Sequence, residues 1–424
     1  MEPLERILRQ NPWWEGKEIE IIKGLKERPL LKEILKYKDD KQAIAVIGLR
    51  RVGKTVLMMQ FINRLLKEVD AKRVFYFSFD EITGKRPGII EDVLRVYEEE
   101  VLREELKNAY IFFDEINRVE DWQVMIKRYY DLNKRIKFVV SGSSSIYLRR
   151  TRESLAGRIY EFELEPLSFE EFLFLRGIEV KDLTIQSQTL RRELNNYFVR
   201  GGFPEIMEER DFEKIRKYVS SVVEKIIFYD IPKVYDVGEP ELLREILGLI
   251  ARKPGSLVEY RKIASALNLS YQTVSKYVGY LERAFLIRLM YNYRGSPIAR
   301  ARKLKRAYLG TPSLALAFMG SEEEVYSIIP QLAENLIATH LRAKFFWRKY
   351  YEVDFLHDKV PIEVKYRERP DEIDGALKAA KQLGSNRLVV VTKDLEKKER
   401  RSGVNVSFVP LWKFLLTAEG PRAY

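Results

Sequence analysis

Cysteine is absent from this 424-residue chain, which excludes disulfides, thiolate zinc sites and thiol catalysis. Histidine is nearly absent too, and His340 and His357 are too few for a histidine-built metal site. No apolar run approaches the roughly 18 residues that cross a bilayer. The opening MEPLERILRQNPWW is charged and lacks the apolar core of a secretory signal. These absences predict a cytoplasmic protein with no membrane partner. Internal repeats and long low-complexity linkers are also missing, so the domains are expected to pack together rather than hang on strings.

What the chain has instead is charge and length. A third of its residues are charged, which with the missing cysteine resembles the composition of thermophile proteins rich in ion-pair networks. Lys plus Arg outnumber Asp plus Glu by 75 to 63, a net charge of +12. Such an excess suits nucleic acid, and it equally confers solubility. Where the charge sits therefore matters more than its sum. The length allows about two to four domains, each with its own core.

Short, nearly continuous apolar runs at 44–48, 74–79, 109–115 and 137–145 read as buried parallel strands. Helical periodicity fills the intervals after residue 55, around 89–107 and over 120–134. Residues 17–37 read as an amphipathic helix or helix pair. Alternating strands and helices predict a doubly wound α/β core across roughly 40–165, within a first domain at 1–165 that has a helical lead-in. Residues 166–245 read as a helical lid, 246–320 as a winged helix–turn–helix, and 321–424 as a further α/β domain.

The pattern G-x-x-x-x-G-K-[ST] is complete in Gly48-Leu49-Arg50-Arg51-Val52-Gly53-Lys54-Thr55, followed by Val56. Glycines let backbone N–H groups approach phosphates, the lysine reaches β and γ oxygens, and the hydroxyl serves magnesium. A strand before the loop and a helix after it offer a positive dipole end to the anion. Asp114 ends the strand YIFF, where a carboxylate can hold magnesium with Thr55, and Glu115 is the candidate for polarising the attacking water; the competing reading of the pair is an acidic cap at a helix N-terminus. ATP and Mg²⁺ are the cofactors these residues imply. Ser141, closing the next strand, is a candidate γ-phosphate sensor; with Gly142 to Ser145 it could equally make a turn. Arg149, Arg150, Arg152 and Arg158 then crowd one stretch. Arg158 is the preferred candidate for stabilising transition-state charge in a neighbouring subunit of a homo-oligomer, the alternative being a solvated basic face.

Together GLRRVGKT, FFDEI, VVSGSSS, SLAGR, PLSFEEF and GGFPE resemble a widespread archaeal and bacterial P-loop ATPase family of AAA+/STAND type, whose C-terminal domain has no known function. The resemblance runs through almost the whole chain in order. It implies that Pro204, in Gly202-Phe203-Pro204, lies near adenine. Asn117 stands where the family often has glutamine, and Thr311-Pro312-Ser313-Leu314 replaces its usual aspartate-proline pair before glycine-leucine.

Within 257–287, Ile263, Ala264, Leu267 and Leu269 are expected to pack a first helix and turn. Val274, Val278 and Leu281 would face inward from a second. Tyr271, Gln272, Ser275 and Lys276 would then face outward, as side chains able to meet a DNA groove. The following YNYRGSPIARARKLKR holds six basic residues and no acidic one, which suits phosphate contacts. An internal lid or oligomer element is the competing reading. Near the C-terminus, Asp354 on an expected strand YEVDFL and Glu363-x-Lys365 on the next resemble the PD-(D/E)xK nuclease pattern. Glu334 supplies a further acid from a preceding helix. Glu334, Asp354 and Glu363 are the candidate metal ligands there, with Lys365 as a non-ligand that positions water. Gln382 is a further lining candidate. The combined expectation is a DNA-associated ATPase with a nuclease-like tail; the alternative is a nucleotide-gated switch or protein remodeller whose tail is an interaction module.

Overall fold

The computed structural model describes residues 3–80, 88–132, 135–142, 155–293, 304–367 and 372–417. Among these the chain divides into two compact units, Met1–Glu165 and Pro166–Tyr424.

The first unit is built on β1 (Ala43–Ile47), β2 (Val74–Ser78), β3 (Tyr110–Asp114), β4 (Lys137–Gly142) and β5 (Ile159–Glu163). All pair in parallel, in the order β2-β3-β4-β1-β5. Every residue of β1 and β4 is buried, the signature of a parallel strand covered on both faces. The order matters for chemistry. Because β4 lies between β1 and β3, its last residues reach the gap between the loop after β1 and the acids after β3.

Helices α1 (Pro3–Gln10), α2 (Pro29–Leu35), α3 (Lys54–Leu65), α4 (Ile89–Val96) and α5 (Trp122–Asp131) accompany this sheet. Side chains of the N-terminal segment close the β2 edge. Asn11 donates to the Tyr76 carbonyl at 2.9 Å and accepts from its N–H at 2.7 Å, Gln10 accepts from the Ser78 N–H, and Trp13 donates to the Val74 carbonyl. An edge strand satisfied in this way cannot template pairing with another chain.

Two expectations need correction here. Residues 17–37 hold only a short 3₁₀ turn at Glu20–Ile22 and then α2. Gly24 adopts φ +73° and Pro29 opens α2, so the apolar spacing there does not belong to one helix. The helix expected over 89–107 leaves α geometry at Tyr97 for a π-helical turn ending at Leu102. Buried Tyr97 packs between Trp14 and Phe75 and donates to the Lys72 carbonyl at 2.6 Å.

The second unit starts with α6 (Phe169–Leu175), whose N-terminus carries a reciprocal Ser168–Glu171 capping box. It continues through α7 (Ser187–Arg200), α8 (Phe212–Lys225), α9 (Pro240–Arg252), α10 (Tyr260–Ala266) and α11 (Tyr271–Arg283). An antiparallel hairpin follows, β6 (Ile287–Asn292) with β7 (Lys305–Leu309). After a 3₁₀ segment, Pro312–Phe318, come α12 (Glu322–Ser327) and α13 (Ile329–His340), then β8 (Phe345–Arg348), β9 (Glu352–Val353), β10 (Phe355–His357) and β11 (Val360–Lys365). The remaining elements are α14 (Asp374–Gln382), β12 (Arg387–Thr392), β13 (Lys397–Arg401), β14 (Val404–Pro410) and α15 (Leu411–Phe414).

These strands form two sheets, β7-β6-β8-β9 and β10-β11-β12-β14-β13. The hairpin is thus hydrogen-bonded into the C-terminal segment across residue 320. The single strand expected over 351–356 is two, and they belong to different sheets. Asp354 occupies the break, where its Oδ2 accepts the Val364 N–H at 2.9 Å and so ends ladder pairing at that point.

Candidate functional site

The loop between β1 and α3 combines three backbone conformations that ordinary residues avoid: Gly48 at φ +151°, Arg51 at +64° and Gly53 at +98°. A Cβ on Gly48 would overlap the Leu164 carbonyl oxygen, so only glycine fits at that position. Leu49 and Val52 are wholly buried and anchor the loop. Arg28, itself nearly buried, donates to the Val52 carbonyl at 3.1 Å and to the Glu165 carbonyl at 2.9 Å, holding the loop from behind. Lys54 opens α3; its ammonium donates to the Gly48 and Leu49 carbonyls at 3.2 and 3.0 Å.

Across the sheet edge, Asp114 is buried and accepts three hydroxyl donors. Thr55 Oγ1 donates to Oδ2 at 2.6 Å, Tyr76 Oη donates to the same oxygen at 2.9 Å, and Ser141 Oγ donates to Oδ1. Burial, reinforced by the Asp114 charge, pushes the Tyr76 phenol well above its usual range, so it remains a donor. The Glu115 N–H donates to Ser141 Oγ at 3.1 Å. Glu115 itself adopts φ +51°, a left-handed conformation that costs a non-glycine residue about 1 kcal/mol. It turns the chain sharply away from β3. Asn117 Oδ1 lies beside Gly142, buried and with no hydrogen-bond partner among the described residues.

Lys54, Thr55, Asp114, Glu115 and Ser141 therefore come together at one sheet edge. A hydroxyl and a carboxylate in contact form the hard-oxygen donor set that magnesium takes, and the N-terminus of a 12-residue helix suits a polyphosphate. The residues fit ATP and Mg²⁺. Tyr76 and Arg28 escape the sequence reading. Tyr76 sits inside an apolar strand run, where the one usable signal is that a buried phenol must find a partner.

Arg158 lies elsewhere. It precedes Ile159, which pairs with Ala43 at the start of β1, so it sits at the sheet edge opposite the loop of its own unit. Its side chain pairs with Asp131 at 3.4 Å and lies over the Tyr130 ring. Ser143, Ser144, Ser145, Arg149, Arg150 and Arg152 lie outside the described residues. Pro204 opens a 3₁₀ turn in the second unit. There the Ser313 hydroxyl donates to the Gly201 carbonyl at 2.7 Å, and a Cβ on Gly202 would strike Thr311. The sequence segments GGFPE and TPSL are thus a packed pair.

In the second unit Glu334, Asp354, Glu363 and Lys365 also converge, with a fifth residue among them. Arg306, on β7, donates from Nη1 to Glu334 at 2.8 Å and to Asp354 at 3.2 Å, and from Nη2 to Glu352. Tyr308 Oη donates to Glu334 Oε1 at 2.5 Å. Lys365 pairs with Glu363 at 2.8 Å. Burial, then the nearby Asp354 charge, pushes the Glu334 and Glu363 carboxyls upward, while Arg306 pulls the first down and Lys365 the second. Burial works against the Arg306 charge, yet Tyr308, Asp354 and Glu334 hold that guanidinium above its ordinary range. Among the described residues no group of three acids or histidines is arranged to hold an ion, and two of the candidate ligands, Glu334 and Asp354, share one guanidinium nitrogen. Gln382 is exposed at the end of α14 that precedes β12, whereas Lys365 pairs with Thr392 at the other end of that strand. His357 pairs with Asp358.

Residues 40–173 match a family described as an AAA domain. The match takes in all five strands of the parallel sheet and the loop after β1. Residues 191–324 match a domain of unknown function, DUF8612, which spans most of the helical segment, the hairpin and the 3₁₀ turn after it. The chain is 28% identical over 414 residues to uncharacterized protein MJ1544 of Methanocaldococcus jannaschii, covering 88% of each. It is 28% identical over 267 residues to an uncharacterized protein of Haemophilus influenzae, covering 60% of this chain and 64% of that one. Among solved structures, the Walker-type ATPase PABY2304 of Pyrococcus abyssi aligns with TM-score 0.42 at 14% identity, over 69% of this chain and 95% of its own. The Aeropyrum pernix Orc1 protein in complex with DNA aligns with TM-score 0.32 at 12% identity, over 70% and 91%. No helix among the described residues is long and apolar enough to cross a membrane.

Proposed function

We propose that this protein is a Mg²⁺-dependent ATPase that couples nucleotide turnover to association with DNA. The observation that carries the ATPase half is the hydroxyl–carboxylate set of Thr55, Asp114 and Ser141, assembled at one sheet edge beside Lys54. Thr55 and Asp114 are the groups that would hold Mg²⁺, which when bound offsets the charge developing on the transferring phosphoryl group. The loop N–H groups of residues 48–56 and the Lys54 ammonium bind and orient the phosphates. Glu115 takes the role of general base, orienting water and accepting its proton. Ser141, linked to both the Asp114 carboxylate and the Glu115 N–H, reports phosphate occupancy to the two acids at once. Arg158 is assigned to a neighbouring subunit's site, and Pro204 to the adenine.

For DNA, the support is the arrangement of α9, α10, α11 and the β6–β7 hairpin, the element order of a winged helix–turn–helix. Val274, Val278 and Leu281 are wholly buried on α11, while Tyr271, Gln272, Ser275 and Lys276 are exposed. Of the basic run 291–306, residues 294–303 lie outside the described residues. Steady-state ATPase rates with and without duplex DNA, at two salt concentrations, test the coupling. DNA should accelerate hydrolysis, and added salt should weaken the effect. A rate indifferent to DNA but raised by unfolded polypeptide would favour the remodeller reading instead. Lys54→Ala should abolish turnover, and Glu115→Gln should bind ATP without cleaving it. Retained turnover in Lys54→Ala would sink the site assignment.

A further inference from the structure

The acidic cluster of the C-terminal segment has the residue types of a metal-dependent nuclease centre, yet its geometry is organised around an organic cation. We propose that the Arg306 guanidinium is the resident cation of this cluster, standing where the sequence pattern calls for a divalent ion. On this reading the cluster joins the hairpin to the C-terminal sheets and does no phosphodiester chemistry.

Four observations converge. Arg306 Nη1 lies within hydrogen-bond distance of both Glu334 and Asp354, so one nitrogen bridges the pair of oxygens a metal would bridge. Its Nη2 engages Glu352, giving three carboxylates around one planar fork. The remaining acceptor capacity is largely committed: Asp354 Oδ2 takes the Val364 N–H, Glu334 Oε1 also takes the Tyr308 hydroxyl, and Glu363 is paired with Lys365. Finally the Arg306 side chain is only 13% exposed and its guanidinium lies over the Phe346 ring at 5.1 Å, so it is packed in place. A divalent cation entering this cluster would face a fixed positive charge a few ångströms away and would have to strip ligands from a guanidinium buried among three acids.

Mn²⁺ binding to the full-length, nucleotide-free protein tests this, read by the electron paramagnetic resonance of free Mn²⁺. Asp114→Asn identifies any ion held at the ATP site. The wild type should bind no Mn²⁺ that is lost on Asp354→Asn, and its nicking of supercoiled DNA in Mn²⁺ should equal that of Asp354→Asn. Arg306→Ala should bind Mn²⁺ at least tenfold more tightly, and adding Asp354→Asn should remove that gain. Circular dichroism checks that the variant folds; Arg306→Gln, neutral but still able to hydrogen-bond, takes its place if it does not. Asp354-dependent Mn²⁺ binding by the wild type overturns the proposal. So does a folded Arg306 variant that gains none.

Discussion

Replacing Arg28 with methionine keeps the length and apolar packing of the side chain and removes two hydrogen bonds behind the nucleotide loop. One, to the Val52 carbonyl, is buried; the other, to the Glu165 carbonyl, is partly so. A buried carbonyl left without a charged donor costs about 2 kcal/mol, and a partly exposed one about 1, so the substitution should cost about 3 kcal/mol. For a unit of this size, that corresponds to a fall in unfolding temperature of roughly 6–12 °C. The loop should lose order before the rest, because Val52 belongs to it and Arg51, its neighbour, is held at φ +64°. Looser preorganisation should raise the dissociation constant of Mg·ATP by about tenfold, equivalent to about 1.4 kcal/mol. Differential scanning fluorimetry with and without Mg·ATP, followed by calorimetric titration, measures both effects. Arg28→Lys, which can satisfy one carbonyl, should fall between. A drop under about 1 °C with unchanged ATP affinity would refute the reasoning.

Two further outcomes follow from single side chains. Tyr76→Phe removes one of the donors on Asp114 Oδ2 and should lower kcat several-fold while leaving the KM for ATP nearly unchanged; equal kcat would show that Thr55 and Ser141 suffice to orient the carboxylate. Burial, with His357 adding to it, pushes the His340 imidazole down to about 4 from 6.5. Its folded pKa lies below the unfolded one, so the contribution is complete above pH 6.5 and is lost as pH falls toward 4. Allowing for a half-buried ring, urea unfolding between pH 7 and 4.5 should show about 2 kcal/mol less loss in His340→Leu than in the wild type; parallel stability curves would rule this out.

Local chemistry is legible in this sequence, and long-range geometry is not. The nucleotide loop can be read because its glycines, lysine and hydroxyl must be contiguous, and Asp114 because it ends an apolar run. The inward face of α11 can be read from its spacing alone: Val274, Val278 and Leu281 are all wholly buried. Strand order cannot be read this way, since nothing in residues 137–142 says that β4 inserts between β1 and β3. Arg28 reaches the Glu165 carbonyl across 137 positions, and Arg306 finds its carboxylates 28, 46 and 48 positions away. In sequence Arg306 is one cation in a basic run. Helical periodicity also misleads where a backbone break intervenes, as Gly24 shows, and strand periodicity misleads at Asp354, where a side chain rather than a ladder takes the next N–H.

Helix α13 shows how closely the hairpin and the C-terminal sheets are joined. Two successive residues of α13 engage β7 by different chemistry. Glu334 takes Arg306 and Tyr308, while Asn335, wholly buried, accepts from the Leu309 N–H at 2.7 Å and donates to its carbonyl at 3.0 Å. Asn335 thereby satisfies both backbone groups of a strand residue with one amide, as a neighbouring strand would. On the other side, β6 pairs with β8, and the Asn292 side chain exchanges hydrogen bonds with the N–H and carbonyl of Arg348. A displacement of the hairpin would have to break ladder bonds, two side-chain amide pairs and the Arg306 cluster together. Each buried group left unpaired adds its own cost, so partial separation is the least favourable course. Separating the hairpin from the C-terminal sheets therefore requires breaking all of these bonds together.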